Sequence, residues 1–335
     1  MTKKSYDRNI LALDDTELEQ FVLDWVKSKT GIYIEITRFS GSGDLGRDVV
    51  GFCTKDKHEG EWHNYQCKQY AKNLPTDTAI CEIGKILYYA YRNEFTAPTR
   101  YFFVVPRGVN RNLETLIYNP QKFKSQIIAE WDKYCANKII DGKNIQLDLS
   151  LKQFIQNFDF SNIHRLNLDD ILSDTFIKPV LFKWFGADPG PAPLANVPEK
   201  IEDSELPYIN QLVDAYSQRE GKKFINHEEV AKHSQHSKHL SIQRERFYGA
   251  DVFKRFYRDN TDQSVIESFE NDIYHGIFDT CEGRRHADAL DCVNSVMNQA
   301  ANIQPSGPLA HHARVPIKQG ICHHFANEER LKWRK

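Results

Sequence analysis

Apolar residues recur at helical spacing from Asp14 to Lys29. Leu18, Phe21, Val22, Trp25 and Val26 share one face there, and Asp14, Asp15 or Thr16 can cap the start. A β-branched run from Ile32 to Phe39 predicts a strand, and a Gly/Ser-rich turn follows it. Val49-Val50-Gly51-Phe52 is apolar enough for a buried strand, Asp56 to Glu61 reads as a polar hairpin loop, and Tyr65-Gln66-Cys67-Lys68-Gln69-Tyr70 alternates like a strand. Ile80 to Arg92 has helical spacing, Tyr101 to Val105 is uniformly apolar up to Pro106, and helical segments fill Leu113 to Asn137. Helix, three strands, helix and strand predict a compact α/β unit.

The pattern changes at Ala187-Asp188-Pro189-Gly190-Pro191-Ala192-Pro193-Leu194-Ala195-Asn196-Val197-Pro198, whose four prolines and glycine predict an extended linker. Beyond it, Leu206–Arg219, Ile242–Tyr257, Ser264–Ile277 and His286–Gln299 have helical spacing and few strand signals. The expected organisation is therefore an α/β domain over 1–186, a linker over 187–199 and a mostly α-helical domain over 200–335. A length of 335 residues favours two domains.

Hydrophobic content of 40% and charged content of 27% are ordinary for a globular chain. No apolar run is long enough to span a membrane, and Met1–Ser5 is followed by no apolar signal segment, so a cytoplasmic protein is expected. Seven scattered cysteines without CxxC spacing predict reduced thiols rather than a disulfide framework. The net charge of −2 argues against constitutive tight binding of nucleic acid, which is driven by phosphate neutralisation. Charge is uneven, however. Gln66 to Lys124 carries nine basic residues against four acidic ones, and Lys72, Lys85, Arg107 and Arg111 in that stretch are candidate phosphate contacts.

The candidate chemistry lies just upstream of that excess. Asp48 ends the run Gly41-Ser42-Gly43-Asp44-Leu45-Gly46-Arg47-Asp48, and Gln66-Cys67-Lys68 follows. Gln66 and Lys68 are two residues apart on a strand, so their side chains point the same way. If the strand after Asp48 pairs beside them, a carboxylate, an amide oxygen and an ammonium converge. Hard oxygen donors of this kind suit Mg²⁺ or Mn²⁺ held against a phosphodiester. Asp48 is the principal candidate ligand, with the Gln66 side-chain oxygen and the Cys67 carbonyl completing the protein's share. Lys68 would orient a water and screen developing charge. Glu19 of the first helix could reach the same spot through a water or a second metal, and Asp44 could simply cap the glycine turn. The bland alternative is a β-turn capped by Asp48, with Gln66 and Lys68 on the surface of an edge strand.

Glu19, the glycine run to Asp48, and Gln66-Cys67-Lys68 together resemble the Mrr-like branch of the PD-(D/E)xK nuclease superfamily. Its pattern is a first-helix Glu, then G-x-G-D-x-G-x-D, then Q-x-K. The resemblance implies a restriction-endonuclease-like fold, with a mixed central sheet flanked by helices. It also implies a metal-dependent endonuclease acting on double-stranded DNA. A non-catalytic DNA-binding or adaptor subunit is the rival class, and an RNase is a rival within enzymes.

The second domain also bears a resemblance. Its blocks are Leu206–Gly221, Arg244–Asp251, Arg255–Asn260, Tyr274–Ile277 and Gly320–Trp333. They resemble the C-terminal domain of effectors in ABC-three-component defence systems, the group that includes the A subunits of Lamassu systems. The resemblance implies an SMC-like ATPase and a small accessory subunit as partners. It also implies an anti-phage or anti-plasmid role, an effector restrained in the complex, and a homo-oligomer, suggested to be a tetramer, when active. His275, Cys281, His286, Cys292, Cys322, His323 and His324 follow no known zinc spacing and are expected to serve helix packing, with one of His323 and His324 exposed. Lys232 to His239 reads as a polar loop, and Phe247, Tyr248, Phe253, Phe256 and Tyr257 as a helix core.

Overall fold

The computed structural model describes residues 6–39, 41, 43–283 and 286–333. Met1–Ser5 and Ser42, used in the sequence reading, lie outside them. The chain divides into two compact units, Met1–Phe185 and Gly186–Lys335.

The first unit runs α1 (Asp7–Leu11), α2 (Asp15–Ser28), β1 (Glu35–Arg38), β2 (Val49–Phe52), β3 (Trp62–Cys67), α3 (Thr76–Tyr91) and β4 (Arg100–Val104). Then come α4 (Arg111–Ile117), α5 (Pro120–Ala129), α6 (Trp131–Tyr134), α7 (Leu149–Asn157), β5 (Ile163–Leu166), α8 (Leu168–Ser173) and α9 (Lys178–Phe185). The five strands lie in sequence order in one mixed sheet. β1, β2 and β3 are antiparallel, whereas β3–β4 and β4–β5 are parallel. β5 was not foreseen. Its four residues, Ile163-His164-Arg165-Leu166, hold too little apolar material to mark a strand, and its pairing with β4 supplies the ladder bonds.

α2 begins where the sequence indicates. The Asp14 carboxylate accepts from the Glu17 amide at 2.7 Å, and Glu17 returns a bond to the Asp14 amide at 2.9 Å. Its buried face of Leu18, Phe21, Val22, Trp25 and Val26 matches the helical period. Every residue of β2 and β3 is buried, as expected for the middle of a covered sheet. On one face Val50, Phe52, Trp62, Tyr101 and Phe103 join a core with Ile80, Ile83 and Leu87 of α3 and with residues of α4, α5 and α7.

The second unit is helical: α10 (Leu206–Glu220), α11 (His227–Ala231), α12 (Ser237–Asn260), α13 (Gln263–Glu282), α14 (Ala289–Asn302) and α15 (Val315–Asn327). α12 and α15 approach so closely that a Cβ on Gly320 would lie 1.9 Å from the Arg246 carbonyl oxygen. Phe247, Tyr248, Phe253 and Tyr257 are buried in this core, with Phe256 packed against it. A buried pair, Arg244 on Glu205 at 2.7 Å, also receives the Tyr208 and Tyr248 hydroxyls.

The proline-rich stretch does not hang free as a linker. Ala192, Ala195 and Val197 pack on the helical core, Tyr257 donates to the Gly190 carbonyl at 2.7 Å, and Arg244 donates to the Pro198 carbonyl at 2.9 Å. Prolines cannot donate to a ladder, but their carbonyls still accept from side chains. Both His323 and His324 are buried, against the expectation that one is exposed. His323 pairs with Gln243 at 2.9 Å, and His324 with the Phe247 carbonyl at 3.2 Å. The Lys232–His239 stretch is only partly loop. α12 starts at Ser237, and His236 and His239 pack on Tyr216.

Candidate active site

The hairpin register sets the site. Val49 pairs with Tyr65 in the antiparallel β2–β3 ladder, so Asp48, one residue before β2, stands opposite Gln66. Cross-strand partners share a face. The Asp48 Oδ2 accepts from the Gln66 amide nitrogen and from the Cys67 backbone N–H, each at 2.8 Å. The structure thus brings Asp48, Gln66 and Cys67 together, with two differences in the groups they present. Gln66 turns its nitrogen, not its oxygen, toward Asp48, while its oxygen accepts from the Tyr101 hydroxyl at 3.4 Å. Cys67 meets Asp48 through its amide rather than its carbonyl.

Asp48 is 5% exposed. Burial pushes its carboxyl up to about 7, against the opposing pull of Lys68 and the Cys67 N–H, and Glu19 and Glu82 push it up further. Lys68 pairs with Glu82 of α3 at 2.9 Å. Burial works against its ammonium, but Glu82 and Asp48 outweigh that and hold its pKa above the ordinary lysine value. Glu19, half-buried on α2, is also raised, first by burial; the nearby Arg38 and Lys68 oppose the shift. Its contact with Arg38 is a loose 3.9 Å. Glu19, Asp48, Lys68 and Glu82 therefore act on one another electrostatically around one spot.

Glu82 was missed in the sequence. The only local signal is an acid set among Ala79, Ile80, Ile83, Ile86 and Leu87, on a helix that otherwise faces the core. The glycine run has a structural part too. Gly46 has φ +91°, and a Cβ there would sit 3.4 Å from the Ile86 backbone nitrogen, so the loop lies directly on α3. Asp44 holds that loop by accepting from the Gly46 amide and the Lys85 ammonium, each at 2.8 Å. Arg47 is buried, with its guanidinium 4.2 Å from the Phe39 ring centroid and 4.6 Å from that of Phe95.

Of the four candidate phosphate contacts, Lys72 and Arg111 are exposed. Lys85 is engaged by Asp44, and Arg107 donates to the Leu11 carbonyl at 3.2 Å. A surface depression lined by His58, Asn93, Phe95, Phe158 and Asp159 shares no residue with the Asp48 cluster.

The donor set fits a hard divalent cation. Asp48 and Glu19 offer carboxylate oxygens of the kind such an ion takes, and burial, with a smaller push from neighbouring acids, raises the pKa of both. Rotating the Gln66 amide by half a turn would add a neutral oxygen and give up the bond to Asp48. Glu82 and Asp48 keep the Lys68 ammonium charged beside these carboxylates.

Among the described residues, no helix is long and apolar enough to cross a membrane. No curated protein matches the chain, and no solved structure does. Residues 205–333 match the family described as C-terminal domain 6 (CTD6) of the ABC-three component (ABC-3C) systems. The helical unit is thus similar to a C-terminal domain of multi-component, defence-related systems.

Proposed function

We propose that the α/β unit is a metal-dependent endonuclease acting on double-stranded DNA, with a restriction-endonuclease-like fold, and that the chain is the effector of an ABC-3C defence assembly. The observation that carries this reading is the convergence of Asp48, Gln66 and Lys68 at one end of the β2–β3 hairpin, with Glu19 acting on the same spot. Asp48 and Glu19 would hold Mg²⁺ or Mn²⁺, with the Gln66 oxygen available after amide rotation. The bound ion would supply charge for the phosphate oxygens and a more acidic water.

The chain's own residues do the rest. Lys68, kept protonated by Glu82 and Asp48, donates to the attacking water or to a phosphate oxygen and so fixes its orientation. As the new P–O bond forms and the bond to the leaving sugar oxygen breaks, the Lys68 charge offsets the negative charge that builds on phosphorus oxygens. The buried setting of Asp48 lowers the local dielectric and strengthens these interactions. An SMC-like ATPase and a small accessory subunit are the partners this reading assigns to the helical unit, with release and homo-oligomerisation switching cleavage on.

The deciding experiment is Lys68→Ala, assayed on linear and supercoiled DNA and on RNA with Mg²⁺, by the full chain alone and with its partners. The expected result is a loss of DNA cleavage by about 10²-fold or more, with unchanged folding and assembly. Cleavage that survives the substitution overturns the catalytic reading and favours an adaptor. Cleavage of RNA alone overturns the substrate assignment.

A further inference from the structure

The opposite end of the same hairpin carries a second convergence of ligand-type side chains. Glu61 and His63 are two residues apart at the start of β3 and share a face. Cys53, just past β2, donates its backbone N–H to the Glu61 carbonyl at 2.9 Å, which places its side chain across from theirs. The Cys53 Sγ, a Glu61 carboxylate oxygen and a His63 ring nitrogen all lie within 4.8 Å of one another. Sγ to His63 Nε2 is 3.9 Å, and Nε2 to Glu61 Oε1 is 3.7 Å. The second separation is that of a loose ion-pair contact rather than a close hydrogen bond, so the nitrogen and the carboxylate flank a common point.

Those edges are near the ones a tetrahedral zinc ion requires. Bonds of about 2.3 Å to sulfur and about 2.0–2.2 Å to nitrogen and oxygen put neighbouring ligand atoms roughly 3.3–3.6 Å apart. The Sγ–Nε2 and Nε2–Oε1 edges are a few tenths of an ångström longer. Rotation of the Glu61 side chain, 56% exposed, can bring its carboxylate closer, and a small turn of the Cys53 side chain the sulfur.

The imidazole is held ready for such a bond. His63 Nδ1 is 2.8 Å from the Tyr33 hydroxyl, which lies 2.6 Å from the Tyr65 hydroxyl. With Nδ1 engaged, Nε2 is the nitrogen facing Cys53 and Glu61. Metal-bound histidines are ordinarily oriented in this way by a partner on the other ring nitrogen. Tyr33 has its place because residue 51 is glycine. A Cβ on Gly51 would fall 2.6 Å from the Tyr33 ring.

We propose that Cys53, Glu61 and His63 bind one Zn²⁺ or a similar borderline-soft divalent cation, water filling the fourth position, and so tie the far end of the β2–β3 hairpin. The thiol proton is released to solvent as the Zn–S bond forms. Thiolate and imidazole select zinc over Mg²⁺, in contrast to the oxygen donors at Asp48. The inference does not rest on nuclease activity, and either can fail without the other.

Titration of the metal-stripped full chain with Co²⁺ tests it. One equivalent should bind tetrahedrally, with a thiolate-to-cobalt charge-transfer band that Zn²⁺ abolishes. Cys53→Ser should remove the band and Glu61→Gln should weaken binding, each in a chain shown to be folded by circular dichroism. Tyr33→Phe, which removes no ligand atom but frees His63 Nδ1, should weaken binding about 10–100-fold. Asp188→Asn should leave the band unchanged, because Asp188 belongs to the separate His311–His312 group. A wild-type chain without the band, or a band that persists in Cys53→Ser, overturns the proposal.

Discussion

Asp48 is costly to keep charged. Its folded-state pKa is about 7 against an ordinary 3.8, so the folded chain holds a proton that the unfolded chain has already released between those values. Stability from this group is therefore full below about pH 4, falls as pH rises toward 7, and stays low above it. The difference corresponds to roughly 4 kcal/mol at most. Asp48→Asn keeps an oxygen for the Gln66 and Cys67 donors and removes the titration. In the presence of a chelator it should raise the unfolding midpoint at pH 8 and leave it nearly unchanged at pH 4. Equal effects at the two pH values would show that Asp48 does not carry the burden. A bound cation should lower the Asp48 pKa, so adding Mg²⁺ at pH 8 should stabilise the wild type more than the variant.

Elements place these residues by register and close approach. The β2–β3 ladder brings Asp48 opposite Gln66 at one end and Cys53 opposite Glu61 at the other. α3 delivers Glu82 and Lys85 to the first end while packing through Gly84, where a Cβ would stand 2.6 Å from the Cys135 sulfur. The helical unit uses the same device at Gly320, where α15 meets the α12 backbone. Gly320→Ala forces that crossing apart, because the obstacle is the Arg246 carbonyl rather than a flexible side-chain end. It should lower the stability of the helical unit by about 2 kcal/mol or more. Urea unfolding followed by tryptophan fluorescence measures the effect, and an unmoved midpoint would mean the two helices separate easily. The short strand β5 illustrates the limit of local reading, since only its parallel neighbour β4 makes it a strand.

At the level of the whole molecule, the net charge of −2 limits how strongly one chain can hold DNA. Some basic residues downstream of Asp48 are already engaged, Lys68 by Glu82 and Lys85 by Asp44, while Lys72 and Arg111 remain exposed. On the proposed function, weak, salt-sensitive DNA binding by the isolated chain is therefore expected, with a marked gain if copies assemble and their contacts act together. Fluorescence anisotropy against salt concentration reads this directly. Lys72→Ala should reduce the slope of log affinity against log salt by about 1, irrespective of DNA sequence. Tight binding by the dilute chain, or a slope indifferent to Lys72, would remove this residue from the contact surface.

The helix at Leu18–Val26, the buried strands around Val50 and Tyr65, the helical character beyond residue 200 and the i, i+2 placement of Gln66 and Lys68 were all legible in the sequence. Each rests on short-range periodicity, a cap, or an i, i+2 relation that survives whatever the rest of the chain does. Tertiary structure alone decided that Glu82 holds Lys68, that Gln66 turns its nitrogen to Asp48, and that the proline-rich stretch lies against the helical core. It alone decided that Tyr33 fills the place left by Gly51 and aims His63 at Cys53 and Glu61. These depend on which distant segments pack together, and hydrogen bonding and close packing choose among partners that local pattern leaves equivalent.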